Sequence, residues 1–92
     1  MRLFWSDAAV SDRDTIFDYI ALDNPQAAIE LDLKLSAAAS RLLTFPQSGR
    51  CGRVERTREL PLVGTPYVIV YRVEEERVRV LRVLHGAQMW PD

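Results

Sequence analysis

The side chains able to do chemistry near neutral pH are few, and they crowd into the second half of the chain. His85 is the sole histidine and the one side chain whose ordinary pKa lies near neutrality, so it is the candidate general acid or base. Around the sole cysteine, Cys51, stand Arg50, Arg53, Arg56 and Arg58, offset within the patch by Glu55 alone. A guanidinium presents a planar fork of donors matched to phosphate and carboxylate, so this patch is a candidate anion contact. Arg58 is its best member, because it falls in a strand-like run and strands hold side chains more rigidly than loops. Arg72 and Arg82 also fall in strand-like runs, where partner contact competes with a structural salt bridge. Trp90 is a candidate cover for a sheet edge or an anchor for a partner.

Several chemistries are excluded by spacing. The four glycines, Gly49, Gly52, Gly64 and Gly86, do not make a phosphate-cradling loop. One histidine and one cysteine cannot build a structural zinc site, and no serine lies in a nucleophile elbow. No cofactor or metal is expected. Glu74, Glu75 and Glu76 read as a solvated turn and not as an acid–base pair.

The 92 residues suffice for one domain, expected over 1–92, and 48% apolar with 27% charged residues is globular composition. Charge is uneven. Residues 1–48 hold four cations against seven anions, net −3, while 49–92 hold eight arginines against six anions, net +2. Overall charge near zero implies no particular partner, but the second half can meet a local anion. A lone cysteine allows no intrachain disulfide. No apolar run approaches a membrane span, and Met1–Asp7 lacks a signal-peptide core. A soluble cytoplasmic protein is the expectation.

The elements that must position these residues follow from periodicity. Arg2–Trp5 reads as a short strand, and Ser6 as the cap of a helix over about Asp7–Leu22, with Ala9, Ile16 and Ile20 at helical spacing. Asn24 and Pro25 restart a helix over about 25–43, whose stripe Ala28, Leu31, Leu35, Ala38 and Leu42 is the clearest period in the chain. The short break predicts an antiparallel helical hairpin. Phe45–Arg53 reads as a loop. Three strands follow, at about Thr57–Leu62, Tyr67–Val73 and Arg77–His85. The order β-α-α-β-β-β predicts an α+β fold, with the hairpin on one face of a mainly antiparallel sheet and the other face open. Leu31, Leu35 and Leu42 should face Ile69 and Tyr71.

The chain resembles the RelE/ParE superfamily of type II toxins along almost its whole length. The segments that carry the resemblance are Tyr19-Ile20-Ala21 with Asn24–Ala28, then Phe45–Arg50, Gly52-Arg53-Val54 and Thr57–Leu60. Pro66–Val73 and Val80–Gly86 complete the series. The resemblance implies a toxin neutralised by a cognate antitoxin, with operator DNA met only through that antitoxin. It implies that an antitoxin segment wraps the hairpin and reaches the sheet, with Ile16, Ile20, Ile29, Leu33 and Arg72 as candidate contacts. Ribosome-dependent ribonuclease members look to place cations where this chain has Glu59, Pro61, Val68 and Gln88, none of them basic. Gyrase-inhibiting members carry a Leu-His near the last strand's end, as Leu84-His85 does here. The chain therefore looks closer to ParE, with Arg58, Arg82, His85, Gln88 and Trp90 as target contacts. The alternatives are a ribosome-dependent mRNA endonuclease that uses His85, and an inactive module that only binds antitoxin.

Overall fold

The computed structural model describes residues 1–86 and 88–91. Among these residues the elements are β1 (Arg2–Trp5), α1 (Asp7–Ala21), α2 (Pro25–Arg41), β2 (Arg50–Cys51), β3 (Arg58–Pro61), β4 (Tyr67–Glu74) and β5 (Arg77–His85). They build an α+β fold in which the hairpin α1–α2 packs on one five-stranded sheet of order β1-β5-β4-β3-β2. β1 runs parallel to β5, and every other pairing is antiparallel.

The helices begin where their caps dictate. Ser6 Oγ accepts the Ala9 N–H at 3.0 Å, and Asn24 Oδ1 accepts the Ala27 N–H at 3.1 Å, with Pro25 in the first turn of α2. Arg13 fastens the hairpin by pairing with Asp32 at 2.8 Å, and its guanidinium stacks 4.4 Å from the Trp5 ring centre. One tight core results. Ala9, Leu35, Ala39 and Leu42 from the helices meet Ile69, Tyr71, Val78, Val80 and Val83 from the sheet. The leucine stripe thus faces the sheet as its period predicts, with Leu31 partly buried at the rim of the core.

Two features depart from the sequence reading. The expected loop at 45–53 contains the short strand β2, because Arg50 and Cys51 pair with Glu59 and Arg58. The second sheet face is open only in part: Phe4 on it is 37% exposed, but its centre is covered. Val68, Val70 and Leu84 lie outside the helix-side core yet are 5%, 0% and 0% exposed. On this side Arg53 of the 52–57 loop pairs with Glu59 and donates to the Gln88 carbonyl at 3.1 Å, and Trp90 lies beside Arg82.

A bulge at Leu81 shifts the β4–β5 register: Val70 pairs with Arg82, whereas Tyr71 pairs with Val80. Register then sorts the side chains. Tyr67 with His85, Ile69 with Val83 and Tyr71 with Arg58 share the helix face; Val68 with Leu84, and Val70 with Arg82 and Glu59, share the other.

The Phe45–Gly49 turn is fixed from the core by Tyr71. Its hydroxyl donates to the Pro46 carbonyl at 2.7 Å and accepts the Gly49 N–H at 2.8 Å. Tyr71→Phe removes the hydroxyl and strands the buried Gly49 N–H, so it should lower unfolding free energy by about 1–3 kcal/mol. Urea denaturation followed by circular dichroism checks this; an unchanged midpoint and slope would remove Tyr71 from that role.

Candidate functional site

The residues singled out by sequence gather mainly at the C-terminal end of β5. That end is positioned by its edge. β1 stops at Trp5, and α1 completes the edge in its place. Ser6 N–H donates to the Val80 carbonyl at 2.9 Å, and Ser6 Oγ donates to the Leu81 carbonyl at 2.7 Å. The Asp12 carboxylate accepts the Val83 N–H at 2.9 Å and pairs with Arg82 at 2.8 Å, both side chains being less than one-fifth exposed. Arg82 is therefore built into the frame, as a structural salt bridge. Its guanidinium also lies 5.8 Å from the centre of the Trp90 ring.

His85 ends the strand in an exposed position, edge-on to Tyr67 with ring centres 5.9 Å apart. A local turn ties Gln88 to it: the Gln88 N–H donates to the His85 carbonyl at 2.8 Å, and the His85 N–H donates to Gln88 Oε1 at 3.3 Å. Gln88 is exposed and Trp90 half-buried. Gln88 is thus tied to His85, and Trp90 lies beside Arg82, at the same end of β5 but with His85 and Arg82 on opposite faces of the sheet. Arg58 does not join them. It pairs across from Tyr71, four residues or about 13 Å along β4 from the partner of His85. One of its terminal nitrogens donates to the Gly49 carbonyl at 2.7 Å.

The candidate antitoxin contacts divide as well. Ile29 and Leu33 are exposed on α2, and Tyr19 and Leu22 are exposed at the end of α1. Ile20 is half-buried, while Ile16 packs inward against the core. Arg72 lies away from all of these, half-buried on β4.

Sequence reasoning named Glu59 only as a non-basic position and did not foresee that it organises the loop. It is 2% exposed, and Arg53 closes on its carboxylate with three donors: the backbone N–H at 2.8 Å, Nε at 3.1 Å and a terminal nitrogen at 3.2 Å. Arg50 stands 3.8 Å away. The side-chain hydrogen bond from Arg53 holds the Glu59 carboxyl below the ordinary 4.5. Desolvation opposes this, and the Arg53 N–H and the charges of Arg53 and Arg50 reinforce it. The signal that was available was a lone carboxylate inside a strand-like run, preceded by a cluster of arginines. Asp12 left no such signal, since it is one of several aspartates along α1.

The arrangement does not gather His85 with Glu59 and Arg82 on one face of the sheet. General acid–base catalysis with charge stabilisation needs its groups aimed at one phosphate. Here His85 leaves the sheet on the helix face, whereas Glu59 and Arg82 leave on the other, where the central charge is a carboxylate. Among the described residues no group of three histidine, cysteine or acidic side chains is placed to hold a metal ion. No described helix is long and apolar enough to cross a membrane.

Comparison with known proteins agrees with this architecture. The family model for the ParE toxin of the type II toxin-antitoxin system, parDE, matches residues 3–90. Toxin Y4kP of Sinorhizobium fredii is 40% identical over 98% of this chain and 93% of its own length. Toxin RelE2 of Caulobacter vibrioides is 36% identical over 96% of this chain and 98% of its own. A solved chain described as the chromosomal ParDE TA system from P. aeruginosa superposes with a TM-score of 0.84 at 25% identity, over 92% of this chain and 95% of that one.

A carboxylate whose pKa is depressed by folding stabilises the fold above its unfolded value and loses that contribution as pH falls through the folded value. Glu59→Gln should therefore lower stability by about 1–3 kcal/mol at neutral pH. Its deficit against the parent should shrink below pH 4.5, the ordinary value for this group. Urea titrations of both proteins at neutral and acid pH make the comparison. A deficit independent of pH would show that the charge of Glu59 is not what holds the loop.

Proposed function

The chain belongs to the ParE toxin family of type II toxin–antitoxin systems, and on that premise we propose that it arrests DNA gyrase by binding, without nucleolytic chemistry, and is silenced by a cognate antitoxin. Glu59 carries this reading. It occupies a position where the resemblance puts a cation in ribonuclease members, and it is buried with its charge held by Arg53. Of the other corresponding positions, Pro61 has no charge to offer, Val68 is buried and Gln88 is neutral. Loss of one charge stabiliser from such a site costs about a hundredfold or more in rate, so replacement of several leaves negligible cleavage. The target contacts are then His85, Gln88 and Trp90 at the end of β5, framed by Arg82. Arg82→Ala is a poor probe of contact, because it also leaves Asp12 without its cation.

The antitoxin is assigned to the hairpin. Tyr19, Leu22, Ile29 and Leu33 are 73%, 84%, 44% and 65% exposed, an apolar surface of the kind that marks a protein interface. The solved neighbour, described as a toxin–antitoxin system, supports a partner of this type.

A second reading draws on the exposure of His85 and on a relative named as a RelE toxin: a ribosome-dependent mRNA endonuclease. Two assays separate the readings. The purified chain should inhibit supercoiling by purified gyrase and leave in vitro translation running. His85→Ala should weaken the inhibition about tenfold, as expected for a contact near the centre of an interface. Prompt arrest of translation, with codon-phased mRNA cleavage that His85→Ala abolishes and gyrase left active, would replace the gyrase assignment.

A further inference from the structure

A second charged feature lies away from the β5 terminus. The loop 51–57 and the adjoining ends of β3 and β4 enclose a groove of about 710 Å³. Arg56, Arg58 and Arg72 line it, with Val54 and Val73 as apolar wall and Cys51 beside them. None of these three arginines makes an ion pair among the described residues, whereas five others in the second half do: Arg50 and Arg53 with Glu59, Arg77 and Arg79 with Glu74, and Arg82 with Asp12. Arg72 Nε is buried with no acceptor, a state that costs free energy unless a ligand relieves it. The Gly49 carbonyl holds one terminal nitrogen of Arg58, so that fork is already ordered before any ligand arrives. Two acids also line the groove, Glu55 and Glu74, but Glu74 is neutralised by Arg77 at 2.6 Å and Arg79 at 3.7 Å.

We infer that this groove docks an acidic peptide segment of a protein partner, with glutamate or aspartate carboxylates on the Arg56, Arg58 and Arg72 guanidiniums. Carboxylates match the guanidinium fork bidentately, and the methylenes of a glutamate suit the walls formed by Val54 and Val73. A nucleic-acid backbone fits less well. It needs cations spread along a track, and here three cations line one short walled groove that also carries Glu55. The site does not depend on which target the toxin arrests.

The test uses the full chain labelled with ¹⁵N and follows the arginine Nε–H signals. The probe is a blocked Glu-Leu-Glu-Asp-Glu peptide, compared with its glutamine/asparagine counterpart, inorganic phosphate and a short single-stranded oligonucleotide. The acidic peptide should move the Arg58 and Arg72 signals saturably, and its neutral counterpart should not. Arg72→Gln should weaken that binding about tenfold, as expected for loss of a charge-assisted hydrogen bond. Arg56→Gln, in an exposed loop where folding is not at stake, should also weaken it, and Arg41→Gln on α2 should not. The inference is overturned if the peptide produces no saturable shift, if binding survives in both groove variants, or if phosphate or the oligonucleotide binds as tightly.

Discussion

Glu59 sits in the second strand from the sheet's edge with almost no contact with water, and a carboxylate so placed is stable only if cations and donors surround it. Arg53 meets that requirement, and the loop that carries it must then close over the sheet. Arg50 and Cys51 are drawn alongside Glu59 and Arg58 as an edge strand. The same guanidinium has a further nitrogen, which donates to the Gln88 carbonyl. A single ion pair thereby ties together a loop, an edge strand and Gln88.

Asp12 plays the matching part at the opposite side of the sheet. With β1 ended, the Val83 N–H would face an uncovered edge. The Asp12 carboxylate takes that donor and Arg82 together, joining α1 to the strand that ends in His85. The helix hairpin and the candidate target surface are mechanically one piece as a result. The link between them is a half-buried ion pair on packed elements.

These carboxylates also decide what the arginines are able to do. Arg50, Arg53, Arg77, Arg79 and Arg82 are committed to intramolecular pairs, and a guanidinium so held is poorly placed to follow a phosphate through a reaction. The second half of the chain looks cationic in composition yet presents its uncommitted guanidiniums mainly in one groove, away from its histidine.

The sequence alone was enough for the helical hairpin, its caps, the leucine stripe and the three long strands, because each rests on periodicity or on capping chemistry within a few residues. Its resemblance to the RelE/ParE superfamily was legible for the same reason, in short ordered segments such as Phe45–Arg50 and Tyr67–Val73. The turn that ties Gln88 to His85 is local too, since these residues are close in the chain. Local pattern had no access to partners chosen across long separations. Asp12 finds Arg82 and Ser6 finds Leu81 from the far end of the chain. The bulge at Leu81 resets which residues share a face, so Arg82 and His85 part company in a strand that reads as simple alternation. Whether an arginine is a contact or a strut, and whether a sheet face is open or covered, depends on which carboxylate the fold brings within about 3 Å of it, and only the tertiary structure decides that distance.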